Sequence, residues 1–211
     1  MASGLNVGKL AMITGALGAL WMLAMTMIGG ATFPGYDHGT QFISELGATG
    51  APFGQAISWF GFLPAGVLTC AFSFFAWRAA PRSALSTLGF IGVFLFAIGY
   101  VGAAFFPCDF GCRPDEPSFS QVMHELIGLA GYLLAPFTLL LLGLAARTWP
   151  RAQWLATLGY AAAVFALLAV LKLSPEFAFV GVAQRVLEAS VLTWAAACAL
   201  YLGLQAKTAA P

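Results

Sequence analysis

The chain has 211 residues, of which 61% are hydrophobic and only 8% are charged, and its formal net charge is +1. Its mean hydropathy of +0.89 is far above that of a water-soluble domain and indicates a protein of the lipid bilayer. Nine Lys and Arg against eight Asp and Glu leave no basic surface to neutralise a phosphate backbone. We therefore expect membrane lipids, and no nucleic acid, as partners.

Six apolar stretches are long enough to cross the hydrocarbon core, which takes about 20 helical residues. In chain order they cover residues 9–30, 54–77, 84–107, 123–146, 152–172 and 181–205. Lipid cannot satisfy backbone N–H and C=O groups, so each stretch is expected to be a helix. The predicted fold class is all-α, with one six-helix transmembrane domain over residues 1–211.

The short connections carry basic residues unevenly, and this predicts an orientation. Alternating spans put six Lys or Arg residues on one side, namely Lys9, Arg78, Arg82, Arg147, Arg151 and Lys207. Only Arg113, Lys172 and Arg185 lie toward the other side. Both termini are therefore predicted to be cytoplasmic.

The middle of the chain contains a possible internal repeat. Residues 78–82 and 87–90 are echoed by residues 147–151 and 157–160, about 70 positions later. The pattern predicts two helical hairpins, spans 2–3 and spans 4–5, that share one orientation as a parallel repeat. Basic turns that look alike by convergence are the alternative.

Every acidic residue falls on the side opposite the predicted cytoplasmic turns: Asp37, Glu45, Asp109, Asp115, Glu116, Glu125, Glu176 and Glu188. This polarity predicts a polar site near the non-cytoplasmic face. Arg185 and Glu188 stand three residues apart on the last span, where they share a helix face and can pair. Ionised groups at such a depth normally face the protein interior. An ion pair with a purely structural role is the alternative.

A histidine opens the fourth span. If His124 points inward, Gly128 and Gly131 continue its helix face and leave space beside it. We interpret His124 as a site residue, although an interfacial histidine hydrogen-bonded at a helix end would look the same. Ser44 can act as a nucleophile with His124 as its base, but no GxSxG elbow supports that arrangement.

The loops add further candidate ligands. Asp37 and His38 precede the second span with Ser44 and Glu45, and Asp109 follows the third. Two histidines and several carboxylates can hold a divalent metal, but no HxxxH or HExxH spacing occurs. The predicted catalytic residues are His124, Glu45, Glu188 and Ser44. The predicted substrate-binding residues are Arg185, Asp37, His38 and Asp109.

Two of the four cysteines lie in the third connection. Cys108 and Cys112 are on the side predicted to be non-cytoplasmic, where oxidising conditions permit a disulfide. A local disulfide is the favoured interpretation. A pair of metal ligands and two free thiols are the alternatives, because the CxxxC spacing does not distinguish them.

Three parts of the chain carry a family resemblance: residues 36–38 with residues 42–48, residues 106–109, and the histidine of span 4. Together they resemble an uncharacterised family of bacterial six-helix membrane proteins. The resemblance covers essentially the whole chain and implies a bacterial inner membrane protein. Residues 43–47 are also similar to the Tyr-Ile-Ser-Asp-Thr-Gly signature of eukaryotic six-helix proteins. Those include the damage-regulated autophagy modulators and a Golgi factor for remodelling the lipid of GPI anchors. That kinship implies a lipid-related role involving Glu45 and His124.

These observations favour a protein that binds or processes a lipid or lipid-linked substrate at the non-cytoplasmic face. In this hypothesis Arg185 holds an anionic head group by charge-assisted hydrogen bonds. Transport of a small solute or proton, and a structural role in the membrane, are the alternatives. The sequence leaves enzymatic activity and oligomeric state open.

Overall fold

Six long helices make up most of the computed structural model, which describes residues 6–208, with side chains up to residue 206. They are α1 (Val7–Thr32), α2 (Gly54–Ala79), α3 (Ala84–Phe105), α4 (Phe119–Ala146), α5 (Gln153–Val170) and α6 (Val180–Thr208). All six are long and apolar enough to cross a membrane, and the described residues contain no strand. The predicted all-α, six-span fold is confirmed. Lys207, used above to predict the orientation, has its side chain outside the described part.

Polar side chains define where several helices begin. Asn6 Oδ1 accepts a hydrogen bond from Gly8 N at 2.8 Å, and Ser118 Oγ accepts one from Gln121 N at 3.1 Å. Such caps satisfy backbone donors that have no partner within the first helical turn. They fix the start of α1 and of α4, the helix that carries His124.

The helices form a closed ring in which each packs on its neighbours in sequence and α6 packs on α1. Glycines permit close approach: the Cβ of an alanine at Gly159 would lie 2.8 Å from Gly143 Cα. Such small residues let helix backbones pack closely in lipid, where van der Waals contact drives association. Toward the end that carries the basic turns, the interior is filled by apolar side chains such as Phe90, Leu142 and Trp194.

Helix α5 is much shorter than its neighbours. It has 18 residues, whereas α4 has 28 and α6 has 29. At 1.5 Å per residue this difference is about 15 Å. Residues 171–179, which form turns, complete the crossing. Near the acidic end, therefore, no helix stands between α4 and α6.

Helix α2 contains a π-helical turn at Ser58–Phe62, directly before Pro64. Proline lacks the N–H that would bond to the carbonyl four residues earlier, which is that of Phe60. The indole N–H of Trp21 in α1 donates to this carbonyl instead, at 3.0 Å. The hydrogen bond matters because hydrocarbon offers no water to replace the lost donor.

Three loops form a roof over the acidic end of the bundle: residues 33–53, 106–118 and 171–179. The first contains the 3₁₀ turn Ile43–Gly47, and the second contains the 3₁₀ turn Phe110–Cys112. Thr49 N donates to Cys108 O at 2.8 Å, which joins these two loops. Val182 N donates to Gly39 O at 3.0 Å, which ties the first loop to α6. The α2–α3 and α4–α5 hairpins both turn at the opposite end, but duplication and orientation remain predictions.

Candidate binding cavity

A cavity of about 330 Å³ extends from beneath the roof into the bundle, mainly between α3, α4 and α6. We call it the bundle cavity. Its polar lining consists of Ser44, Tyr100, Gln121, His124, Glu125, Tyr132, Gln184 and Glu188. Its walls also include apolar side chains, among them Phe42, Phe62, Phe96, Leu129 and Leu173. Such a mixture of apolar wall and a few convergent polar groups is typical of small-molecule sites.

Glu188 lies deepest among the acidic residues and is only 4% exposed. The Tyr132 hydroxyl donates to one carboxylate oxygen at 2.5 Å, and the Tyr100 hydroxyl donates to the other. Gln184 Nε2 donates to the Tyr132 hydroxyl at 2.9 Å, and Gln184 Oε1 accepts from Ile43 N. A continuous hydrogen-bond chain therefore connects the roof to the carboxylate.

The expected pairing of Arg185 with Glu188 is wrong. The Arg185 guanidinium donates to Gln41 O at 2.9 Å, to the Tyr36 hydroxyl at 2.6 Å and to His38 Nδ1 at 2.9 Å. These groups of the first loop hold the guanidinium outside the cavity. No Lys or Arg is present among the described residues that line the cavity. Arg185 therefore lies outside the cavity lining, and its contact with an anionic head group stays a prediction.

His124 faces the bundle cavity, and its Nδ1 lies 2.9 Å from Phe106 O. A carbonyl only accepts, so Nδ1 carries the proton and Nε2 of the neutral ring has a free lone pair. A Cβ added at Gly128 would meet nothing within 4 Å, so space does exist beside this face. Gly131 instead packs against α3, since its added Cβ would lie 3.0 Å from Phe96 Cα.

Ser44 also lines the cavity, and its hydroxyl lies 3.4 Å from Cys112 Sγ. It forms no hydrogen bond with His124, which is bonded to Phe106. The nucleophile–base contact that would activate a serine is therefore missing in this geometry.

Glu45 does not line the bundle cavity. It is 5% exposed, and it accepts hydrogen bonds from Gln41 Nε2 at 2.7 Å and from Phe42 N at 2.9 Å. These contacts stabilise the 3₁₀ turn, because they satisfy a backbone donor at its beginning. This 3₁₀ turn places Ser44 in the cavity wall.

The remaining predicted loop carboxylates lie outside the cavity and organise the roof. Asp37 Oδ1 accepts from Gly39 N at 2.6 Å and from Thr40 N at 3.0 Å, and these backbone donors lower the pKa of Asp37. Asp109 Oδ2 accepts from Ser118 N at 2.9 Å. Both residues act locally on loop conformation.

Cys108 and Cys112 form a disulfide, and the intervening Gly111 has a φ of +76°. Glycine adopts this left-handed conformation without the steric penalty of a side chain. Cys112 lines the bundle cavity, whereas Cys108 is fully buried behind it. Within residues 6–208 no group of three or more His, Cys, Asp or Glu side chains is placed to hold a metal ion, so the geometry offers no support for the divalent metal considered above.

His38 also lies outside the cavity, and it makes the roof sensitive to pH. Burial, followed by the Arg185 guanidinium, lowers the pKa of His38 below its usual value. At pH values between this lowered pKa and the unfolded pKa of about 6.5, the unfolded chain binds more protons than the folded protein does. The stability contributed by neutral His38 is therefore complete above about pH 6.5 and is lost as the pH falls through the folded pKa.

Thermal unfolding between pH 7.5 and pH 5 measures this effect in detergent. We expect the wild-type protein to lose more stability over this range than a His38→Gln variant, which keeps a neutral acceptor for Arg185. Equal slopes for the two proteins would contradict the assignment, since both retain every other titrating group.

Several cavity residues escaped the sequence analysis. Tyr132 lies eight residues after His124 and Gln184 lies four before Glu188, so both share a helix face with a predicted residue. Gln121 is 1% exposed and donates to Glu125 at 2.6 Å. The sequence signal that could have identified them is a polar side chain at helical spacing from a carboxylate within a membrane span.

Comparison with known proteins yields a family and no function. No curated protein and no solved structure matches the chain. Residues 16–201 match a family described as "Protein of unknown function (DUF998)". This match spans most of the six-helix domain, including the whole of α2 to α5 and every polar residue of the bundle cavity. The chain therefore belongs to this family of proteins of unknown function.

Proposed function

We propose that this membrane protein binds a lipid-like amphiphile in the bundle cavity. The observation that carries the proposal is the division of the lining into a polar cluster around Glu188 and His124 and walls of Phe, Leu and Met side chains. A polar head can hydrogen-bond to the cluster while an acyl or alkyl chain covers the apolar wall. A small polar solute would leave that wall in contact with water.

A lateral opening supports an amphiphile over a water-soluble ligand. Glu125 is exposed although it lines the cavity, and Leu129 is 46% exposed. Leu173 and Pro175 form the opposite edge. This gap lies above the end of α5, where only residues 171–179 stand between α4 and α6. A chain can leave the cavity here directly into the bilayer.

The interior beneath the cavity argues against a transport path. Apolar side chains such as Phe72, Phe90 and Trp194 are each at most 1% exposed and fill most of the other half of the described bundle. Buried hydroxyls there, such as those of Ser73 and Ser86, donate to backbone carbonyls. Charged or polar relays usually mark routes for ions and protons. Binding, or processing of a bound molecule, therefore agrees better with the structure than transport does.

The proposal extends to location. The distribution of Lys and Arg supports an orientation in which the cavity lies near the non-cytoplasmic face. The bacterial inner membrane is part of the proposal and comes from the family resemblance alone. His124, whose Nε2 is free to exchange a proton, and Glu188 are the residues that we propose to face the head group. Roles for Ser44 and Glu45 in chemistry remain predictions.

A cavity-filling variant tests amphiphile binding. Purified protein in a maltoside detergent is photolabelled with an alkyl diazirine that bears a neutral hydroxyl head, and labelled peptides are identified by mass spectrometry. Gly128→Leu is expected to reduce labelling of cavity peptides at least about tenfold, equivalent to about 1.4 kcal/mol. The reason is that Gly128 lines the cavity and a Cβ added there meets no atom within 4 Å, so the rest of the leucine side chain has the cavity to extend into.

Ala130→Leu is the matched control, because Ala130 is exposed on the outer face of the same helix. It places the same leucine side chain toward lipid and is expected to label like the wild-type protein. Two results would refute the proposed function: no labelling of cavity peptides in the wild type, or undiminished labelling in Gly128→Leu.

A further inference from the structure

The charges around the bundle cavity suggest which head group it accepts. Two carboxylates line the cavity, those of Glu125 and Glu188, and no Lys or Arg lines it in the described part of the chain. Arg185, although near Glu188 in sequence, is occupied by the first loop. An anionic head group would find no cation here and would be repelled by both carboxylates.

Glu188 has hydrogen-bond donors but forms no ion pair within the described residues, and the Arg185 guanidinium, whose charge does reach it, is held outside the cavity by the first loop. Its two oxygens accept from the hydroxyls of Tyr100 and Tyr132, which are neutral groups. An ionised carboxylate held away from water normally pairs with a positive charge. A positively charged ligand would supply that charge from within the cavity.

Aromatic rings surround the same position. Phe96 packs edge-on against Tyr100 with ring centroids 5.4 Å apart, and it lies 5.8 Å from the Tyr132 ring. All three rings line the cavity, and Phe62 joins them. Ring faces attract cations, and cages of several aromatic rings recognise quaternary ammonium groups in proteins. Aromatic walls also suit the apolar methyl groups of a quaternary ammonium.

We propose that the bundle cavity recognises the amine or quaternary ammonium head group of an amphiphile, with Glu188 as the counter-ion. The alkyl chain leaves between Leu129 and Leu173 into the bilayer. This inference rests on the proposed function, since it names the ligand class of that cavity.

Three photoprobes with one alkyl diazirine chain and different heads test it: trimethylammonium, hydroxyl and sulfonate. In wild-type protein we expect the trimethylammonium probe to half-saturate cavity labelling at a concentration about tenfold lower than the hydroxyl probe. The sulfonate probe should be the weakest. These comparisons need no variant, so they remain informative whatever a substitution does to folding.

Glu188→Gln then assigns the preference to one carboxylate. It is expected to abolish the tenfold advantage, so that the trimethylammonium and hydroxyl probes half-saturate labelling at similar concentrations. Glu176→Gln is the control, since this exposed carboxylate lies outside the bundle cavity. It should leave the preference unchanged.

The two proposals fail differently. No cavity labelling by any probe in the wild type would refute amphiphile binding itself. Labelling that is equal for the three heads, that favours sulfonate, or that keeps its ammonium preference in Glu188→Gln would overturn the ligand class alone.

Discussion

A Gly181→Ala variant is expected to be less stable than the wild type by about 2–4 kcal/mol, the sum of overpacking and lost hydrogen bonding. The added Cβ would lie 2.4 Å from Gln41 O and 2.7 Å from His38 O. Both are backbone atoms, which cannot turn aside as a flexible side chain can. Helix α6 and the first loop must therefore separate, which breaks the Val182 N–H to Gly39 O hydrogen bond.

Unfolding in mixed micelles of maltoside and dodecyl sulfate, followed by circular dichroism, measures this loss. Gly128→Ala is the matched control, because an added Cβ there meets no atom within 4 Å. The control should be unchanged or more stable, by up to about 1 kcal/mol from helix propensity. Equal stability of the two variants would mean that the contact between α6 and the first loop is not as close as described.

Replacing Gln184 by leucine is expected to lower the free energy of unfolding by about 2–4 kcal/mol, since two buried partners lose their bond. Gln184 is 5% exposed, accepts from Ile43 N and donates to the Tyr132 hydroxyl at 2.9 Å. Leucine has nearly the same volume but satisfies neither group.

The same micelle titration tests this prediction, with Gln153→Leu as control. Gln153 is exposed, and its amide bonds only to Arg147 O, at 3.0 Å. Its replacement should change stability by less than about 0.5 kcal/mol. If Gln184→Leu were as stable as this control, the hydrogen bonds that run from the roof through Gln184 to the Glu188 carboxylate would not hold the roof in place.

The fold followed from simple physics. Long apolar stretches in lipid have few alternatives to helices, and the predicted spans differ from the observed helices by only a few residues at most ends. Span 5, residues 152–172, was already the shortest predicted span, and it passes the end of the helix at Val170 because the apolar run continues to Leu171. Hydropathy alone does not register where a chain leaves helical geometry.

The site was predicted only in part. His124, Glu188 and Ser44 do line one cavity, as the concentration of polar residues suggested. Arg185 and Glu45 lie outside the cavity because their partners, Gln41 and Phe42 among them, come from loop backbone. Helix periodicity indicates which side chains share a face, but it does not reveal which carbonyl oxygen a distant loop will bring to them. The similarity of residues 43–47 to lipid-remodelling proteins remains a prediction.

The Trp21–Phe60 hydrogen bond has a consequence for biogenesis. While α2 enters the membrane, its Phe60 carbonyl lacks the donor that a residue other than proline would offer at position 64, and the indole of α1 supplies one. A lone α2 would therefore carry an open acceptor into hydrocarbon. We therefore expect the first two helices to leave the insertion machinery as a packed pair, in which α1 supplies the hydrogen-bond donor that α2 lacks.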